Sequence, residues 1–126
     1  MPIKTKRWND AGEADDGFRL LVCRYRPRGV RKEDETWHTW CPELGPSREL
    51  HGDFYGKHGE PIGWQAYRRR YLDEMKEQSE LIEELALLHR EGKKITLLCS
   101  SACVDPAHCH RTLLKQLIED ASAKRR

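Results

Sequence analysis

The chain has 126 residues, of which 37% are apolar and 35% charged, and its formal net charge is +2. That length suits one domain with one modest core, and so even a charge balance does not by itself argue for a polyanionic partner. No apolar run is long enough for a membrane span or a secretory signal, which predicts a cytoplasmic protein with no membrane partner. Five cysteines, an odd number, then predict free thiols or metal ligands in a reducing compartment.

Taken in order, Ile3 to Trp8 weakly alternates apolar and basic residues and predicts a short edge strand. Asn9 to Gly17 is a polar loop. Phe18 to Cys23 (FRLLVC) reads as a strong strand. Arg24, Arg26, Arg28, Arg31 and Lys32 follow closely. Pro27 disfavours helix at Arg26, so the run stays extended and Arg24, Arg26 and Arg28 project to one side. Such a run is either solvated surface or an anion clamp. Trp37 and Trp40 fall at helical spacing, which predicts a short helix over Glu33 to Trp40 packing two indoles. Pro46-Ser47 opens another short helix, with Ser47 as N-cap. From Pro61 a longer helix is predicted, with Trp64, Tyr67, Tyr71, Leu72 and Met75 on its apolar face. The next runs from Ser79 to Glu91 and ends at Gly92.

Ile95 to Cys99 is an apolar, β-branched strand. Asp105-Pro106 predicts a helix start, with Asp as N-cap and Pro at the first helical position. Leu113, Leu114, Leu117 and Ile118 form its stripe. Cys109 and His110, each four residues before a stripe position, are predicted to face the sheet. Residues 121–126 read as a frayed basic tail.

A long helical connection between two strands favours a parallel crossover. Parallel Phe18–Cys23 and Ile95–Cys99 would end on one edge of the sheet, so that the Arg24–Arg28 and Cys99–Cys109 loops face one crevice. The chemistry on that crevice divides three ways. A thiol at a helix start, beside arginine or histidine, gains nucleophilicity, which makes Cys109, His110 and Cys99 the catalytic candidates. Neither Cys99 nor Cys103 has an arginine six residues on, which excludes a phosphatase loop. Cys99, Cys103, His108, Cys109 and His110 also offer zinc ligands, but there is no Cys-x-x-Cys pair, and adjacent helical residues point about 100° apart. No metal and no cofactor are therefore expected. Lastly, arginines interleaved with Tyr25, Trp37 and Trp40 can clamp phosphate and stack a base.

Two stretches together resemble the DUF488 family. LVCRYRPRGVRKE, Leu21 to Glu33, is similar to that family's pattern of valine, aspartate, arginine, any residue, tryptophan, proline, arginine and glycine, ending in a lysine. Arg24, Pro27, Arg28, Gly29 and Lys32 match it, while Cys23 replaces the aspartate and Arg26 the tryptophan. Pro46-Ser47, Arg68 to Tyr71, and Thr96 to Cys99 followed by Cys109-His110-Arg111 also resemble the family. The resemblance implies a single small α/β domain over residues 1–126, Rossmann-like, with a mainly parallel sheet flanked by helices, in a prokaryotic-type cytosol. It implies no known reaction. If the replaced aspartate carries a proton in relatives, this chain lacks it or uses Cys23.

The resulting expectation is an anion-recognising crevice built by Arg24, Arg28, Lys32 and Arg111, with Cys109, His110 and Cys99 as catalytic groups. Its partner would be a small phosphate- or carboxylate-bearing substrate, a nucleotide or base among them. The alternatives are a nucleic-acid or nucleotide binding module without catalysis, and a Cys/His metal-binding protein.

Overall fold

The structure, a computed structural model, describes residues 3–124. Four strands, β1 (Lys4–Arg7), β2 (Phe18–Leu21), β3 (Thr39–Trp40) and β4 (Ile95–Cys99), form one sheet in the order β1-β4-β2-β3. All three pairings are parallel. β2 lies directly beside β4, with Leu20 opposite Leu97 and Leu21 opposite Leu98. The pairing continues past the strand, since Val22 N donates to Leu98 O at 2.9 Å. The two strong strands are thus parallel neighbours, as their sequence separation predicts.

The helices are α1 (Arg48–Phe54), α2 (Trp64–Glu74), α3 (Ser79–Arg90) and α4 (His110–Lys124). Ser47 caps α1 by accepting from Leu50 N at 3.1 Å. Gly92, at φ +85°, follows the end of α3 in the left-handed region that favours glycine. Helix α4 runs through the start of the expected tail as far as Lys124, and the last two residues of that tail lie outside the described residues.

Side chains alternate along the strands and divide the interior. Leu20, Val22, Ile95 and Leu97 meet Leu50, Tyr67, Tyr71, Leu85, Leu114 and Ile118 in the main core, to which all four helices contribute. Leu21, Cys23 and Leu98 face a smaller cluster with Trp37, Cys99 and Cys109, closed by Trp8 and Val30. Tyr71 is fully buried and donates its hydroxyl to Leu44 O at 2.7 Å, so its polar end is satisfied inside the core.

Two predicted elements differ. Glu33 to Trp40 is not a helix. A 3-10 turn covers Lys32–Asp34, and Thr39–Trp40 is the edge strand β3. The reason is the open edge of β2, whose carbonyls need donors: His38 N and Cys41 N each reach one, at Arg19 O and Leu21 O, both at 2.8 Å. Trp37 packs inside as expected, whereas Trp40 is 38% exposed and donates its indole N–H to Cys23 O at 2.8 Å. The second difference lies at the start of α4. Asp105 does cap a turn, accepting from Ala107 N at 3.1 Å, but that turn is a separate 3-10 segment, Pro106–His108. Cys109 is extended (φ −133°, ψ 140°), and α4 begins only at His110.

At the opposite end of the sheet, Asp16 is buried at 2% exposure among cations from two strands. Lys4 and Lys6 each approach Oδ1 at 2.9 Å, Arg19 binds Oδ2, and Glu13 N donates to Oδ2 at 3.1 Å. Burial alone would raise the Asp16 pKa, but the bonds from Lys6, Lys4, the Glu13 backbone and Arg19 outweigh it and hold the carboxyl well below the usual range. A depressed carboxyl pKa stabilises the fold above the unfolded value of about 4, and that stabilisation is lost as pH falls through the folded value. Asp16→Asn should therefore lower stability at pH 7 by about 3–5 kcal/mol, as expected for breaking a buried ionic network, and should flatten the acid limb of the unfolding curve. Denaturant titrations from pH 7 to pH 2 test this, and an unchanged acid slope would count against the assignment.

Candidate functional site

Because β2 and β4 are parallel neighbours, their carboxyl ends open on one edge of the sheet, and a cavity of about 70 Å³ lies there. The end of β2 contributes Cys23, Arg24 and Tyr25. The end of β4 and its loop contribute Cys99, Ser100 and Cys103. His110 enters from α4, Tyr67 from α2, and His51 and Tyr55 from α1 and its C-terminal residue. The carboxyl ends of parallel strands are where open α/β sheets hold ligands.

Three sulfurs converge here. Cys103 N donates to Ser100 O at 3.1 Å, closing a tight turn of small residues that folds Cys103 back onto the end of β4. Its Sγ stands 3.2 Å from Cys99 Sγ and 3.7 Å from Ser100 Oγ. Cys109 Sγ lies 3.5 Å from Cys99 Sγ, so Cys99 is in contact with both other thiols. Cys99 and Cys109 are buried, and Cys103 is half-buried. Donors from Cys109, Cys99 and Ser100 favour a thiolate on Cys103 and hold its pKa below the ordinary thiol value, while Cys99 and Cys109 are held as thiols. Burial pushes Cys23 up to about 12 and Cys41 up to about 11.

His110 is oriented by the sheet. Its Nε2 lies 2.7 Å from Val22 O, which must accept, so in the neutral ring Nδ1 is the acceptor. Nδ1 stands 3.9 Å from Cys99 Sγ. Burial opposes charging His110, but Cys109, the Val22 carbonyl and Cys103 outweigh it and raise its pKa. His51 leaves a buried Nδ1 without a partner among the described residues, and its ring lies between Tyr25 (5.0 Å) and Tyr55 (4.6 Å). Burial lowers its pKa.

The predicted anion-binding residues separate. Arg24 lines the cavity, held by its Nε donating to Pro46 O at 2.8 Å. Gly45 permits that arrangement, since a Cβ there would fall 2.6 Å from Arg24 N. Arg28 and Lys32 are exposed and do not line the cavity. Arg111 is buried at 5% exposure, with Nε and Nη1 unpartnered among the described residues, but it does not line the cavity, and its charge acts on Asp10. Cys109 and His110 part company as well. Extended Cys109 enters the smaller cluster beside Trp37, while His110 meets the Tyr71 ring at 5.4 Å.

Sequence reasoning did not select His51, Tyr55 or Tyr67 as site residues, and it named Cys103 only as a metal-ligand candidate. The Ser47 cap is the one local signal for His51, because it fixes the first turn of α1 and thereby where position 51 faces. As for a metal, the sulfurs of Cys99, Cys103 and Cys109 lie within 4.8 Å of one another and could hold a soft ion, with His110 Nδ1 as the nearest nitrogen.

The family model described as the active DUF488-N3 subclade matches residues 3–122. The uncharacterized protein YeaO of Escherichia coli K12 is 37% identical over 101 residues, covering 80% of this chain and 84% of its own. The uncharacterized protein Rv3073c of Mycobacterium tuberculosis H37Rv is 33% identical over 116 residues, covering 92% of each chain. No solved structure matches. No helix among the described residues is long and apolar enough to cross a membrane. With a family match over nearly its whole length and relatives above 30% identity, the chain belongs to the DUF488 family.

Proposed function

We propose that the cavity is the active site of an enzyme that uses thiol and imidazole chemistry on a small phosphate- or carboxylate-bearing substrate. One observation carries this reading: a single recess at the carboxyl ends of β2 and β4 gathers Cys103, His51, His110 and Arg24. Arg24 binds the anionic group, and Cys103 is the nucleophile. Cys99 and Ser100 stabilise its thiolate by donation. His51, with its free Nδ1, carries the proton, and His110 positions Cys99. In this reading Cys99 and His110 support the nucleophile instead of acting as nucleophile and base as expected from sequence, and the nucleophile moves from Cys109 to Cys103. A volume of about 70 Å³ accepts only a few heavy atoms, so a nucleotide would enter by one group, with the rest outside. The reading sets the protein in a reducing cytoplasm, where thiols persist.

A nucleic-acid module has less support, because several arginines, two of them in the basic run, are neutralised. Arg26 pairs with Glu35 at 2.7 Å, Arg31 with Asp34 at 3.0 Å, and Arg70 with Asp53 at 2.8 Å. The metal reading rests on the three close sulfurs. The thiol-enzyme reading expects zinc well below one per chain in elemental analysis. A value near one, lost in Cys99→Ser, would favour metal binding.

Two labelling experiments test the enzyme reading. With iodoacetamide at neutral pH, Cys103 should react before Cys23, Cys41 and Cys109, by about tenfold for each unit by which their own pKa values stand above the pH. Peptide mapping reads the order, and labelling of Cys109 first would return the nucleophile to that residue. Iodoacetate, which carries its own carboxylate, should label Cys103 saturably and be slowed by added phosphate. Arg24→Ala should weaken this capture about tenfold or more, the loss expected of a charge-assisted contact, and Arg28→Ala should leave it unchanged. Equal capture by wild type and Arg24→Ala would remove Arg24 from the site.

A further inference from the structure

We propose that Cys103 and Cys99 form a reactive and resolving thiol pair, and that the site reduces small hydroperoxides through a disulfide between them. The inference rests on the reading of Cys103 as nucleophile and adds the substrate class and the second thiol. Cys99 Sγ is already in contact with Cys103 Sγ at 3.2 Å, and the two need close by only about an ångström to bond. Access is ordered as such a pair requires. Cys103 is half-buried on the loop and meets a small oxidant first, while Cys99, at 1% exposure, stands behind it. The cavity is small enough to exclude bulky oxidants and large enough for hydrogen peroxide.

The chemistry balances in two steps. The Cys103 thiolate attacks the terminal peroxide oxygen, an S–O bond forms, the O–O bond breaks, and the departing alkoxide or hydroxide takes a proton from solvent. Cys103 becomes a sulfenic acid, oxidised by two electrons, and the peroxide is reduced to an alcohol or water. Cys99 then gives its proton to Nδ1 of neutral His110, 3.9 Å away, and attacks the Cys103 sulfur. An S–S bond forms, the S–O bond breaks, and hydroxide leaves as water with that proton. Two exchanges with a dithiol reductant restore both thiols. The unpartnered Nδ1 of His51 and the Arg24 guanidinium supply polar groups on the cavity wall where the peroxide oxygens separate.

The test uses the full chain, reduced and then exposed to hydrogen peroxide near one equivalent. Free thiols should fall from five to three per chain, and dithiothreitol should restore all five. The peptide Ile95 to Arg111 carries all three site cysteines, so its fragmentation must locate the bond, which is expected between Cys99 and Cys103. Cys109→Ser should still form it, and Cys99→Ser should stop at a Cys103 sulfenic acid that dimedone traps. A bond from Cys99 to Cys109, or wild-type Cys103 over-oxidised without any disulfide, would overturn the pairing. Selective alkylation of Cys103 together with such a failure would leave the thiol-enzyme reading standing. Slow alkylation of Cys103 would remove that reading and this inference with it.

Discussion

The parallel ladder between β2 and β4 is the constraint on which the site depends. β4 is buried along its whole length and paired on both sides, by β1 and by β2. Its backbone groups have no alternative partners in the interior, so register and direction are fixed together. Once they are fixed, residues 22–25 and 99–103 must leave the sheet side by side. The cavity follows from that geometry. His110 then joins the two systems, since one ring nitrogen holds the backbone where β2 ends and the other faces the thiol that ends β4.

The break before α4 matters as much. Had the helix run on from Pro106, Cys109 and His110 would share one continuous surface. The extended conformation of Cys109 instead sends the two neighbours into separate packing environments. Cys109 thereby supports Cys99 from behind instead of meeting the solvent. Proximity to a helix start favours a thiolate, but hydrogen bonding among the three sulfurs outweighs it and favours the charge on Cys103, the most accessible of the three.

How legible was this in the sequence? β2 and β4 were, because apolar, β-branched runs separated by helical spacing admit few arrangements. The amphipathic faces of α2 and α3 and the Ser47 cap were legible for similarly local reasons. β3 was not, since a two-residue strand draws its pairing from the free edge of β2 and carries no periodicity of its own. In the site, Cys99, His110 and Arg24 were legible from strand ends and motif. His51 and Tyr67 reach the cavity only through the docking of α1 and α2, which no local pattern records. Arg28 and Lys32 match the family pattern, yet they stand outside the cavity, because a motif fixes residue types and the turn at Gly29 (φ +75°) helps set their direction.

The position of β1 bears on how the chain is made. β1 pairs only with β4, some ninety residues later, and Ile3 N donates to Glu119 on α4 at 3.0 Å, across 116 positions. During synthesis the first strand therefore has no partner until β4 leaves the ribosome, and its tie to the last helix comes later still. α1 and α2 can form early, since they pack on each other, but α3 packs chiefly on α4, which follows β4, and the sheet cannot close around them. Nascent chains halted before residue 95 should thus hold helices against half a sheet, with β2 exposed along the edge that β4 will cover. Closure of the sheet waits on β4, and closure of the main core waits further on Leu114 and Ile118 of α4.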